Sequence, residues 1–147
     1  MEINWLAVAA ASLAMFVIGA VWFMPKTFYP VWMKAQGRKV PTTQVEMSAG
    51  STVLMFGGTF VGTVVQAVTL AIVINLAQTV DPTIGAVGAA AIGALLGFGI
   101  GAASSFSHRQ FAQADHNQVN AVWVWVLEVG QDITSLTVAG LIIGVWL

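Results

Sequence analysis

The sequence predicts an all-α membrane protein: four transmembrane helices packed as a bundle, with a short interfacial segment after the first. Three observations lead there. Charged residues make up only 7% of the 147 positions and hydrophobic ones 58%, whereas soluble domains carry roughly a quarter charged residues. Four apolar runs each reach the roughly 20 residues needed to cross about 30 Å of hydrocarbon. The charged residues gather mainly in the connections between those runs. Strands do not fit, because the runs are too long and an open sheet edge cannot face lipid. The length suits a single four-helix transmembrane domain over residues 1–147.

The first span is expected near Asn4–Met24, stopping at Pro25. Its apolar run, Trp5 to Phe23, exceeds a secretory signal core. The leading segment holds Glu2 and no Lys or Arg, so the basic region of a signal peptide is missing and a retained span is expected. Residues 25–49 form the longest connection, with Lys26, Lys34, Arg38 and Lys39 against Glu46. Within it, Phe28 to Lys34 mixes aromatic residues with a cation, as in a segment lying at headgroup level. Lys34 to Lys39 is open to reading as a lipid-headgroup or partner site.

The second span is expected near Gly50–Ala77, followed by a tight turn at 78–82. Asp81-Pro82 then signals the start of a third span near Thr83–Ser105. A polar connection at 106–120 carries His108, Arg109, Asp115 and His116, and the fourth span follows near Ala121–Leu147. Every Lys and Arg falls in the first or third connection. The positive-inside rule therefore places those connections in the cytoplasm and both termini outside, in a multi-pass protein of the inner (plasma) membrane. Trp5, Trp22, Trp123 and Trp146 sit near span ends, as an aromatic belt requires.

The third span carries Gly85, Ala89, Gly93, Gly97 and Gly101 at intervals of four. Such a ridge lets another helix approach closely and gain van der Waals contact that lipid cannot match. The partner is either a helix of the same bundle or a second subunit. Shorter ridges occur at Gly58/Gly62 and Gly140/Gly144.

The fourth span holds Glu128, Asp132 and Ser135 on one face, with Gln131 beside them. Asp132 lies roughly 16 Å from a start near Ala121, about the bilayer midplane. Charge there costs several kcal/mol unless it is paired, hydrated or neutralised, so the acids are expected to face the protein interior. The second span offers Thr59, Thr63 and Gln66 at matching depth, which predicts a polar seam between the second and fourth spans. No Lys or Arg lies within the expected spans, so no buried ion pair is expected to neutralise the acids.

Several function classes drop out. With no cysteine, disulfides, thiol catalysis and cysteine metal sites are excluded. The net charge of −1 supplies no field for nucleic acid. No phosphate loop or nucleophile elbow is present, no cofactor is implied, and the two histidines lie far along the chain from the acids, so no metal site is expected. The leading reading is a non-enzymatic module that assembles through its glycine-rich helix, with itself or as a small subunit of a larger membrane complex. The alternative is an oligomeric channel or proton-linked carrier using Glu128 and Asp132. Hydrogen-bonding glue is the plain structural reading of the same seam.

The segments Asn4-Trp5-Leu6-Ala7-Val8 and Gly19-Ala20-Val21-Trp22-Phe23 up to Pro25, then Phe28, Trp32-Met33-Lys34, Gly37, Gly140 and Trp146, together resemble the small bacterial membrane proteins grouped as domain of unknown function 1761. The resemblance covers most of the chain. It implies a four-helix integral membrane protein without an established activity. Two departures stand out: a longer polar third connection at Gln110–Gln118, and Glu128-Val129-Gly130-Gln131-Asp132 where a milder Asn/Asp-containing stretch belongs.

Overall fold

The computed structural model describes residues 2–41, 46–112 and 117–147. The described elements are helical: α1 (Trp5–Trp22), α2 (Tyr29–Ala35), α3 (Ala49–Val80), α4 (Ala86–Leu96), a π-helical turn (Gly97–Ala102), α5 (Ala103–Ala112) and α6 (Gln118–Val145). With α4, the π turn and most of α5 counted as one continuous span, four helices are long and apolar enough to cross a membrane.

Local chemistry sets the ends. Asn4 caps α1, its side-chain oxygen accepting from the N–H groups of Leu6 and Ala7 at 3.1 and 3.2 Å. Ser48 caps α3 and Asn117 caps α6 in the same manner. At the far end of α1, where the helix supplies no further N–H groups of its own, the Thr27 hydroxyl sits 2.7 Å from the carbonyls of both Val21 and Trp22, which also accept from the Met24 and Phe28 N–H groups. Pro30 lies in the first turn of α2, where its missing N–H costs nothing. Gly37 ends that helix at φ +71°, while Arg38 N–H bonds back to Met33; the left-handed conformation there favours glycine.

The packed interior combines Ala7, Val8, Ala11 and Met15 of α1 with Ala67, Leu70 and Ile74 of α3, Ala89 of α4, and Ala139 and Ile143 of α6. Small side chains dominate, so the backbones lie close. A Cβ at Gly93 would collide with the Leu136 carbonyl, and one at Gly140 with the Ala89 carbonyl. A Cβ at Gly97 would lie 2.9 Å from Ile133 Cα, and one at Gly144 2.6 Å from Ala86 Cα. The small-residue ridge of the third span thus packs on α6 of the same chain, Ala89 against Gly140 and Gly144, and Gly93 and Gly97 against Leu136 and Ile133.

The ridge does not run its expected length. Gly85 and Gly101 meet nothing within 4 Å. The π turn explains Gly101. One extra residue in the turn makes the next position on the ridge five residues on instead of four, so Ala102, 2% exposed, takes the place expected of Gly101.

Three further expectations gain detail. The third connection is shorter than 106–120, because α5 continues to Ala112 and α6 begins at Gln118; Asp115 and His116 lie outside the described residues. The short segment expected after the first span is the helix α2, with Met33 and Ala35 buried and Val31 and Lys34 exposed. Trp22 is half-buried: its indole N–H donates to the Leu127 carbonyl at 3.0 Å, and its ring lies tilted at 39° to Phe28. Trp5, Trp123 and Trp146 are exposed near helix ends, as a belt requires.

Candidate intramembrane acid site

Glu128 is reached from two elements that sequence spacing did not connect to it. Its Oε1 accepts from the Trp32 indole N–H of α2 at 3.0 Å, and its Oε2 pairs with Arg109 Nε of α5 at 2.5 Å. The carboxylate side chain is 19% exposed and the arginine 42%. The ion pair corrects the expectation that no basic residue could meet the acids. The reason is helix length: the third span continues past Ser105 in a polar extension that carries Arg109 back toward α6.

That extension is held in register by a stripe spaced four and three. Ala102 O accepts from the Trp125 indole at 3.0 Å, Phe106 packs edge-on against the Trp125 ring at 5.1 Å, and Arg109 comes next on the same face. Trp125 and Glu128 answer it from α6, three apart. The π turn matters here too, because it places the Ala102 carbonyl on the α6 side.

Asp132 lies one turn further along α6, near the middle of its 28 residues. It is half-buried and has no hydrogen bond or ion pair among the described residues. Gln131 Nε2 instead donates to the buried Ser135 hydroxyl at 2.8 Å. The glutamine amide passes over Gly19 of α1, where a Cβ would stand 3.7 Å from Nε2.

The expected partners on α3 do not bond to the acids. Thr59 is exposed and donates to its own Met55 carbonyl at 2.7 Å; Thr63 is buried and donates to Phe60 at 2.8 Å. Helical threonines commonly satisfy themselves this way. Gln66 is exposed and bonds to no described residue. Residues 49–62 of α3 are largely exposed, and its burial begins at Thr63. The second span therefore closes on the bundle only in its later half, leaving the acids without hydrogen bonds from it. Trp32 and Arg109 bind Glu128 instead; for Arg109 the sequence signal was weak, because the 102/106/109 stripe becomes visible only once the helix is extended past Ser105.

Among the described residues no group of three His or acidic side chains is placed to hold a metal ion. His108 is exposed, and His116 lies outside the described residues. The arrangement offers instead two carboxyls one helical turn apart, one neutralised by a guanidinium and one without a partner.

Four long apolar helices, with their polar chemistry confined to a few side chains between them, define a small polytopic membrane protein. The chain belongs to the family of proteins of unknown function DUF1761, whose match runs over residues 6–144. No curated protein and no solved structure matches it.

Proposed function

We propose that this chain is a non-enzymatic membrane module that takes up and releases protons or small cations at Asp132, with Glu128 and Arg109 as the adjoining ion pair. The single observation behind this reading is the unpartnered carboxyl of Asp132 at mid-helix. An acid there costs several kcal/mol, and hydrogen-bonding glue would have given it a partner. Arg109 pairs with Glu128, and Asp132 lies one turn from that pair, so a proton arriving at Asp132 changes the charge beside it. A bound cation would act in the same way.

The test is flux in reconstituted liposomes, with a pH dye inside. The wild type should pass protons or small cations in a pH-dependent manner. Asp132→Asn should abolish this while the fold survives, as read by circular dichroism and thermal melting. Wild-type liposomes that show no flux at any pH would end the proposal. The orientation with both termini outside rests on the basic residues and has its own check. Single cysteines introduced at Gly37 and Asp81 of this cysteine-free chain should label from opposite sides, with Gly37 cytoplasmic.

A second reading, assembly with another copy or another membrane subunit, draws on α3. Gly58 and Gly62 meet nothing within 4 Å, and Gln66 continues their spacing on the exposed face. Native mass measurement in lipid nanodiscs distinguishes it: a dimer that Gly62→Leu dissociates favours assembly, and a monomer removes it.

A further inference from the structure

At the end of the bundle away from Glu128, the segment leading into α1, the later part of α3 and the end of α6 line an open cavity of about 400 Å³. That volume suits a small molecule. Ala71 and Ile143 supply apolar wall, Trp146 supplies an aromatic face, and Glu2, Asn75 and Gln78 supply the polar groups.

Hydrogen bonds within the chain decide what those groups present. Asn75 Nδ2 donates to the Ala71 carbonyl and Gln78 Nε2 to the Ile84 carbonyl, both at 3.0 Å. Both amides are thus oriented with their nitrogens tied to the backbone, and their carbonyl oxygens accept nothing from the described residues. The Glu2 carboxylate likewise has no partner among the described residues. The Asn4 oxygen, by contrast, is used by the α1 cap. The cavity is therefore rich in unused acceptors, is lined by the Glu2 carboxylate and is bordered by Trp146.

We infer that this cavity binds an ammonium group carried on a small apolar body. The carboxylate and two amide oxygens match the three N–H donors of a primary ammonium, and the indole face of Trp146 offers a cation–π contact. An anion would be repelled by Glu2. A hard divalent ion would want six or more oxygens and would gain nothing from the apolar wall. The inference is independent of the Asp132 reading, which concerns the middle of α6.

The ammonium has two sources, a free amine or the headgroup of a phosphatidylethanolamine lipid. The test uses the full chain in nanodiscs of phosphatidylglycerol, which carries no ammonium, titrated calorimetrically with benzylammonium and, separately, with benzyl alcohol. Benzylammonium should bind saturably at one site and benzyl alcohol should not. Glu2→Gln, in the exposed leader before α1, should weaken binding by about tenfold or more, as expected for losing a bond to a charged group. Asn75→Leu should weaken it too. Asp81→Asn, an acid outside the cavity, should leave binding unchanged. Adding phosphatidylethanolamine to the discs should suppress benzylammonium binding if the lipid is the occupant and leave it intact if a free amine is; both results keep the ammonium site. Equal binding of the alcohol, unchanged binding in Glu2→Gln, or an equal loss in Asp81→Asn would overturn the inference.

Discussion

The two sides of α6 are built on opposite principles. Toward the third span the backbones nearly touch: Gly93 and Gly97 lie against Leu136 and Ile133 of α6, Gly140 and Gly144 lie against Ala89 and Ala86 of α4, and none of the four leaves ordinary room for a side-chain carbon. Toward α2 and α5, the contacts are long side chains reaching across: Trp32 and Arg109 to Glu128, and Trp125 to Ala102. The first seam is dry, made of backbone against backbone, and tolerates no added atom. The second is polar and half-exposed, and it holds a carboxyl without a partner. Dispersion contact holds the first; the second trades packing for chemistry.

The largest effect that would break this contrast is a side chain forced into the dry seam. Gly140→Leu should cost about 3 kcal/mol or more, read as loss of the cooperative thermal transition in detergent. Gly58→Leu, on an open face, should change stability by about 0.5 kcal/mol or less if α3 faces lipid. Comparable losses at both positions would mean that the α4–α6 contact is not special.

Next in size is the polar side. Trp32→Phe removes one indole hydrogen bond to Glu128 and should cost about 1 kcal/mol. A double-mutant cycle between Arg109→Ala and Glu128→Gln should give a coupling of about 1 kcal/mol or less, because the arginine is 42% exposed and water screens the pair. A coupling of zero would leave Glu128 to Trp32 alone.

The π turn sharpens the comparison at smaller amplitude. Gly101→Ala should be neutral, since nothing lies within 4 Å, whereas Gly97→Ala should destabilise against the Ile133 backbone. Equal effects would mean that the ridge runs on unbroken through Gly101.

The smallest effect belongs to the turn that leads into the dry seam. Asp81 is fully exposed, and hydrogen bonds from the Thr83 hydroxyl (2.6 Å) and N–H (2.9 Å) hold its carboxyl below the usual range. A carboxyl lowered in the folded state stabilises above its unfolded value, near about pH 4, and loses that contribution as pH falls through its folded value. Melting temperature should therefore drop slightly on acidification below about pH 4, and Asp81→Asn should show less of that drop.

The four spans, their order and the segregation of charge were legible in the sequence because each depends on composition over a window, and hydrocarbon thickness sets the window. The close-packing role of Gly93 and Gly97 was legible too, because no other residue type permits that approach. The partner was not: a ridge specifies closeness without naming its complement, and only the fold brought the Leu136 and Ile133 backbone of α6 to it. The π turn, which exchanges Gly101 for Ala102, leaves no mark in the four-residue spacing. Arg109 was counted as a loop charge because the helix was expected to end where apolar residues end, whereas backbone hydrogen bonding carries it on to Ala112. Periodicity along one helix determines which residues share a face. Which face of a neighbour it meets depends on how the helices cross and where each one ends, and that was decided by the tertiary structure alone.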